Sequence, residues 1–192
     1  MESFSQFLIS EELYNQLDEN SKSALAYATS AHSGQTRSGG RPYVTHPQAV
    51  ANIVKQFKKS HNLDAIISAA LLHDTIEDTD TTHADLEKLF GGLVAALVQE
   101  LTSDKEEIDK VGKTAYMSKK LLKMSSWALV VKLADRLHNV QDITTAKTPE
   151  WRKKYKNETL SVLDNIEKNR VLSGTHKRII ASIRKKLNEV PD

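Results

Sequence analysis

A histidine and three carboxylates crowd the six residues His73-Asp74-Thr75-Ile76-Glu77-Asp78, directly after the apolar run Ala69-Ala70-Leu71-Leu72. Burying such a cluster at the end of an apolar helix is costly unless a cation holds it. Neutral imidazole and carboxylate both ligate divalent metals, so metal chemistry is the first candidate. His73 and Asp74 alone do not complete a site. His46 at the start of a helix and Asp135, a lone carboxylate inside an otherwise apolar stretch, are the candidates for the rest. Together, His46, His73, Asp74 and Asp135 offer two nitrogens and two oxygens and leave positions for water and substrate. That pattern favours one borderline-to-hard ion such as Mn²⁺ over a closed structural zinc site. Glu77 and Asp78 follow closely enough to orient or deprotonate a water. Asn139 stands one helical turn after Asp135, on the same side. Each histidine also has an ordinary reading as a packed or capping residue, and a His-Asp pair is common by chance. Spacing therefore leaves both readings open.

The elements that must position these residues read as helices throughout. Asn20 or Ser21 is expected to cap a helix reaching about His32. The glycine-rich connection from Gly34 to Tyr43 follows, of a length that is usually functional or disordered. It carries Arg37 and Arg41 and leads to His46-Pro47, where the proline suits the first turn of the next helix, Gln48 to about Phe57. Ala65 to His73 is apolar nearly all round and is predicted to be central. Thr79–Thr82 should turn and cap Ala84–Phe90, and Gly91-Gly92 separates that helix from Leu93–Leu101. Thr102–Gly112, charged and almost free of apolar side chains, reads as a mobile surface loop. A polar helix from Lys113 to about Met124 comes next. Ser126 is expected to cap the apolar run through Asn139, Thr148-Pro149 to open another helix, and Thr175 to cap the last. Nothing alternates with period two for long. The fold class is all-α, a single domain over 1–192 of about eight to ten helices.

The bulk composition narrows the function classes. The 192 residues are 39% hydrophobic and 27% charged, which describes an ordinary globular protein of one domain. A net charge of +2 makes no electrostatic case for nucleic acid. The absence of cysteine excludes a disulfide framework, thiolate ligands and a thiol nucleophile together. The N-terminus carries no signal-peptide pattern, and no stretch approaches the roughly 18 apolar residues of a membrane span. A cytoplasmic location is the expectation.

Four motifs then occur in order: His32-Ser33-Gly34-Gln35-Thr36-Arg37, Pro42-Tyr43-Val44-Thr45-His46-Pro47, His73-Asp74-Thr75-Ile76-Glu77-Asp78 and Lys132-Leu133-Ala134-Asp135-Arg136-Leu137-His138-Asn139. Together they resemble the HD-type hydrolase domain of the RelA/SpoT family. The stand-alone length is most similar to the small alarmone hydrolases, which include the metazoan SpoT homologue. The resemblance is strong over about 25–143 and only general over the C-terminal helices, about 149–188. It implies one Mn²⁺ bound by His46, His73, Asp74 and Asp135. It implies removal of the 3′-pyrophosphate of ppGpp or pppGpp, with Glu77 and Asp78 assisting the attacking water. It sets Arg37 against the guanine and Asn139 against the nucleotide sugar. The chemistry agrees: a bound divalent ion acidifies water, a planar guanidinium suits base stacking, and an amide can both donate to and accept from a ribose hydroxyl.

Other residues carry plainer readings. His32 and His138 are expected to support the site or the fold, since the ligand set is full without them. Tyr43 either packs beneath the loop or lines the pocket. The run Trp151-Arg152-Lys153-Lys154-Tyr155-Lys156 reads as a solvated helix face. Departures from the family pattern at Ser38, Arg41, Gln141, Tyr155 and Thr159 all touch substrate grip, with Arg41 or Lys156 as replacement cations. They keep alternatives alive: an HD-type phosphohydrolase of another nucleotide such as NADPH, or a non-catalytic nucleotide-binding regulator. The complete metal and water-handling sets argue against the second.

Overall fold

The computed structural model describes residues 13–37, 39–143 and 147–190. Ser38, one of the departures noted above, lies outside them. Among the described residues there are ten helices, a single helical turn and no strand, the all-α class expected. None of these helices is long and apolar enough to cross a membrane. Two compact units divide the chain, one through Thr102 and one from Ser103.

The first unit contains α1 (Glu19–Ala31), α2 (Thr45–Phe57), α3 (Leu63–Leu72), the single turn α4 (Thr75–Asp78), α5 (His83–Phe90) and α6 (Gly92–Leu101). Its centre is α3, on which α1, α2 and α6 pack. Every residue from Ile66 to Leu72 is buried, as the all-round apolar pattern predicts. Among them, Ser68 meets Ser21 of α1 through a buried hydroxyl pair at 3.0 Å. Burial on this scale fixes the C-terminal end of α3, so His73 has little freedom. Truncating Leu71 to alanine would cost about 2–5 kcal/mol. The cap of α1 is Asp18, which accepts from the Ser21 backbone N–H at 3.1 Å, rather than Asn20 or Ser21. Three polar residues compete there, and the Ser21 hydroxyl is instead engaged with Ser68.

The second unit contains α7 (Lys105–Val111), α8 (Lys113–Lys123), α9 (Ser126–Gln141), α10 (Pro149–Asn169) and α11 (Gly174–Glu189). Here α9 packs on α11 and α8 on α10. The expected loop over Thr102–Gly112 is corrected: most of it is α7. Asp104 caps it by accepting from Glu107 N at 2.9 Å, and Gly112, at φ 84°, ends it. Glu106 and Glu107 sit in the first turn and Lys110 in the last, which suits the helix dipole. High charge argues against burial but not against helix, since Lys and Glu are good helix formers. The caps of α9 and α11 are also shifted, to Ser125 and Ser173 instead of Ser126 and Thr175. Ser173 wins because His176 completes a reciprocal capping box with it. That histidine is buried, and its Nε2 donates to the Ser126 carbonyl oxygen at 2.9 Å, tying α11 to α9.

Charge is divided unevenly. Residues through Thr102 include 7 Lys or Arg against 13 Asp or Glu, whereas those from Ser103 include 20 against 12. The net charge of +2 conceals an acidic unit and a basic one.

Candidate metal centre and its surroundings

In the first unit, three of the expected ligands come together. His46 stands at the second position of α2, before the Pro47 that its first turn tolerates. His73 caps α3, and Asp74 begins the turn into α4. Both imidazoles are buried, and a ring nitrogen of each lies within 4.8 Å of the other. Oδ2 of Asp74 is 3.1 Å from His73 Nε2 and 3.7 Å from His46 Nε2.

The backbone decides what these atoms are. His73 Nδ1 lies 2.8 Å from the carbonyl oxygen of Ala70, which can only accept, so Nδ1 carries the proton. In the neutral ring Nε2 then presents a lone pair toward Asp74. Lone pairs of an imidazole and a carboxylate at that separation repel unless a cation lies among them. The donor set therefore fits a divalent metal, with the histidine tautomer fixed by a carbonyl, as is usual for metal-binding imidazoles. His46, His73 and Asp74 form a candidate metal site.

Glu77 and Asp78 lie in α4, one turn on from Asp74, with Asp78 exposed and Glu77 half-buried. The Tyr43 hydroxyl donates to Asp74 Oδ2 at 2.6 Å and stands 3.4 Å from Asp78 Oδ2. Its ring rests against His32, with centroids 4.6 Å apart. The connection preceding it carries hydrogen bonds of its own. Arg37 N donates to Arg41 O, Gly40 N donates to Arg37 O, and Thr36 bridges Pro42. Gly40 takes φ 79°, a conformation that favours glycine. Arg37 and Arg41 thus sit on a short hairpin, both half-buried.

In the second unit, Asp135 is buried in α9. Its carboxylate accepts a hydrogen bond from Asn139 Nδ2 and lies 3.2 Å from Lys132 Nζ. One N–H of Asn139 is therefore committed to the aspartate, a use that the sugar-contact expectation did not include. Arg136 lies over the Tyr155 ring at 5.0 Å and donates to Thr159 Oγ1 at 3.3 Å. Tyr155 in turn stacks on Trp151 at 5.0 Å, and Lys147 lies over Trp151. Burial pushes the Tyr155 hydroxyl up from its ordinary value, partly offset by the Arg136 charge. The run at 151–156 is corrected in part: Lys153 and Lys154 are solvated, but Arg152 is buried and donates to the Lys147 carbonyl at 2.6 Å. Lys156 is half-buried on α10, and Gln141 is exposed at the end of α9. A small cleft is lined by Lys132, Arg136 and Thr159 on its polar side and by Met117, Leu121 and Leu163 on its apolar side. Sequence reasoning missed the Arg136–Tyr155–Trp151 stack, although the one-turn spacing of Trp151 and Tyr155 on α10 was visible.

Comparison with known proteins follows the same lines. The family model of the HD domain matches residues 24–171. The bifunctional (p)ppGpp synthase/hydrolase SpoT of Escherichia coli strain K12 is 37% identical over 153 residues, covering 73% of this chain and 20% of that protein. The guanosine-3′,5′-bis(diphosphate) 3′-pyrophosphohydrolase of Escherichia coli O157:H7 gives the same identity and coverage. The chain thus spans about a fifth of the length of these relatives. A solved structure of a metazoan ortholog of SpoT, described as hydrolysing ppGpp and acting in starvation responses, superposes with a TM-score of 0.75. It is 31% identical, and the match covers 90% of this chain and 96% of that one.

Proposed function

The chain belongs to the HD-domain family, in its RelA/SpoT form, and on that premise we propose that it is a metal-dependent hydrolase of guanosine alarmones. It removes the 3′-pyrophosphate of ppGpp or pppGpp and releases GDP or GTP with pyrophosphate. The observation that carries this reading is the convergence of His46 Nε2 and His73 Nε2 on Asp74 Oδ2. The names of the E. coli relatives and of the metazoan ortholog supply the substrate class.

The ion is Mn²⁺, one per chain, held by His46, His73, Asp74 and Asp135. Asp135 is included because it is a buried carboxylate in a largely apolar helix, where a metal would add to the Lys132 charge in offsetting it, and the HD-domain match extends across it. The ion, when bound, acidifies a water and offsets charge on the leaving pyrophosphate. Glu77 and Asp78 would orient the attacking water and take its proton. Tyr43 holds Asp74, and Asn139 holds Asp135, so that each carboxylate keeps one orientation. Arg37 stacks on the guanine, Asn139 uses its remaining hydrogen-bonding capacity on the sugar, and Arg41 and Lys156 are the cations nearest in role to the phosphates. The basic balance of the second unit supports a polyanionic substrate. The proposed setting is the cytoplasm, with 1–192 read as a single domain.

The test is product analysis. Purified protein with Mn²⁺ is incubated with ppGpp, pppGpp and NADPH, and the products are separated by anion exchange. Pyrophosphate with GDP or GTP is expected, abolished by EDTA and restored by Mn²⁺. Phosphate release from NADPH with no cleavage of ppGpp would replace the alarmone reading with the other-nucleotide one.

A further inference from the structure

One side chain joins the arginine hairpin to the turn that bears Glu77 and Asp78. Gln35 Nε2 donates to the carbonyl oxygen of Asp78 at 3.0 Å, and Gln35 Oε1 faces His32 Nδ1 at 2.9 Å. A carbonyl partner can only accept, so the amide orientation is set, and His32 Nδ1 is the donor to Oε1. The backbone closes the circuit: Gln35 N donates to His32 O, and Tyr43 N donates to Gln35 O, each at 3.0 Å. His32 is 3% exposed, and among the described residues its Nε2 is buried with no hydrogen-bond partner. A core built for stability alone would favour an apolar ring in that place, because an unpaired buried nitrogen is costly.

The position of Asp78 explains what the amide is for. A four-residue helix cannot satisfy its own carbonyl groups. The Thr82 N–H that would bond Asp78 O in a longer helix bonds Asp85 Oδ2 at 2.9 Å instead. Gln35 supplies the donor there. The backbone bonds at the end of α4 are Asp78 N to Asp74 O and Thr79 N to Thr75 O, to which the Thr79 hydroxyl adds a bond to Thr75 O at 2.7 Å and the Tyr43 hydroxyl a longer one to Asp78 Oδ2 at 3.4 Å.

We propose that Gln35, seated by His32, is a positioning residue that fixes the water-handling turn and couples it to the hairpin bearing Arg37. This rests on the reading of Glu77 and Asp78 given above.

The experiment compares wild type with Gln35→Met, which keeps length and removes both hydrogen bonds, and with Gln35→Glu, which keeps the acceptor for His32 and loses the donor to Asp78. Amide hydrogen exchange is read without substrate, and steady-state kinetics with ppGpp and Mn²⁺. Both variants should speed exchange at Asp78 and Thr79 by about 10-fold or more, while amides of α10 and α11 are unchanged. Both should lower kcat by about 10-fold or more with KM moved by less than about 3-fold. Adding His32→Phe to Gln35→Met should cost little more, because the link is already broken. Wild-type exchange at Asp78 and Thr79 in Gln35→Met would overturn the proposal, as would uniform acceleration across both units. If wild type itself does not cleave ppGpp, the functional reading fails, and the exchange data still decide the positioning role.

Discussion

Tyr43 donates its hydroxyl hydrogen to Oδ2 of Asp74 over 2.6 Å, joining residues 31 positions apart. The same oxygen lies 3.1 Å from His73 Nε2. A phenol held on one carboxylate oxygen keeps the side chain in a single orientation and leaves its other lone pairs for an ion. The His32 ring behind Tyr43 gives the phenol its own support. Supporting groups of this kind are worth almost as much to a metal site as the ligands.

Tyr43→Phe should therefore keep the ring contact with His32 and lose the hold on Asp74. Mn²⁺ affinity is expected to fall by about 10- to 100-fold, with activity recovering in part at high Mn²⁺. Titration calorimetry with the metal alone measures the first, and ppGpp hydrolysis against Mn²⁺ concentration the second. Unchanged affinity would remove Tyr43 from the metal site.

Asp135 and Asn139 should separate by degree. Asp135→Ala removes a proposed ligand and is expected to abolish hydrolysis and Mn²⁺ binding together. Asn139→Ala removes the hydrogen bond that steadies Asp135, together with the proposed sugar contact, and should lower Mn²⁺ affinity by about 10- to 100-fold without abolishing it. Wild-type activity in Asp135→Ala would exclude it from the ligand set.

Much of this was legible in the sequence because hydrophobic periodicity is a strong signal. An all-round apolar run made α3 central, and a lone carboxylate among Val131, Leu133 and Ala134 marked Asp135. Helix α7 was missed because polarity was read as disorder, when Glu106, Glu107 and Lys110 are helix formers placed to suit the dipole. Caps slipped by one to three residues wherever several polar residues competed, as at Asp18 and Ser173. What no local pattern could show were links between distant residues. Tyr43 with Asp74 and Gln35 with Asp78 depend on how a hairpin is folded back against the end of α3, and neither pair shares a periodic spacing.

Tyr155 makes stability fall in alkali. Burial raises its hydroxyl above the ordinary value of 10.0, so the unfolded chain ionises first as pH rises. The stabilising contribution is complete below that value and is lost as pH rises through the folded-state value. Urea midpoints measured from pH 8 upward should decline above about pH 10 in wild type and less steeply in Tyr155→Phe. Identical slopes would show that the hydroxyl titrates alike in both states.

Substitutions of Arg37 can separate charge from shape in its proposed contact with the base. Its backbone is pinned at both ends of the hairpin turn, with Arg37 N on Arg41 O and Gly40 N on Arg37 O, each at 2.9 Å. Substitution of the side chain should leave that turn intact. A guanidinium stacked on guanine contributes through its flat face as well as its charge, and an ammonium has no such face. Arg37→Lys should therefore raise KM for ppGpp nearly as much as Arg37→Ala, each by about 10-fold, with kcat changed far less. If charge were the whole contribution, Arg37→Lys would retain wild-type KM, and the salt dependence of KM would be the same in both. Gly40→Ala, forced into a left-handed conformation at φ 79°, should disturb the turn itself and raise KM with the Arg37 side chain still present. Steady-state kinetics on the three variants thus distinguish loss of the stacking face, loss of charge and loss of the hairpin that presents both.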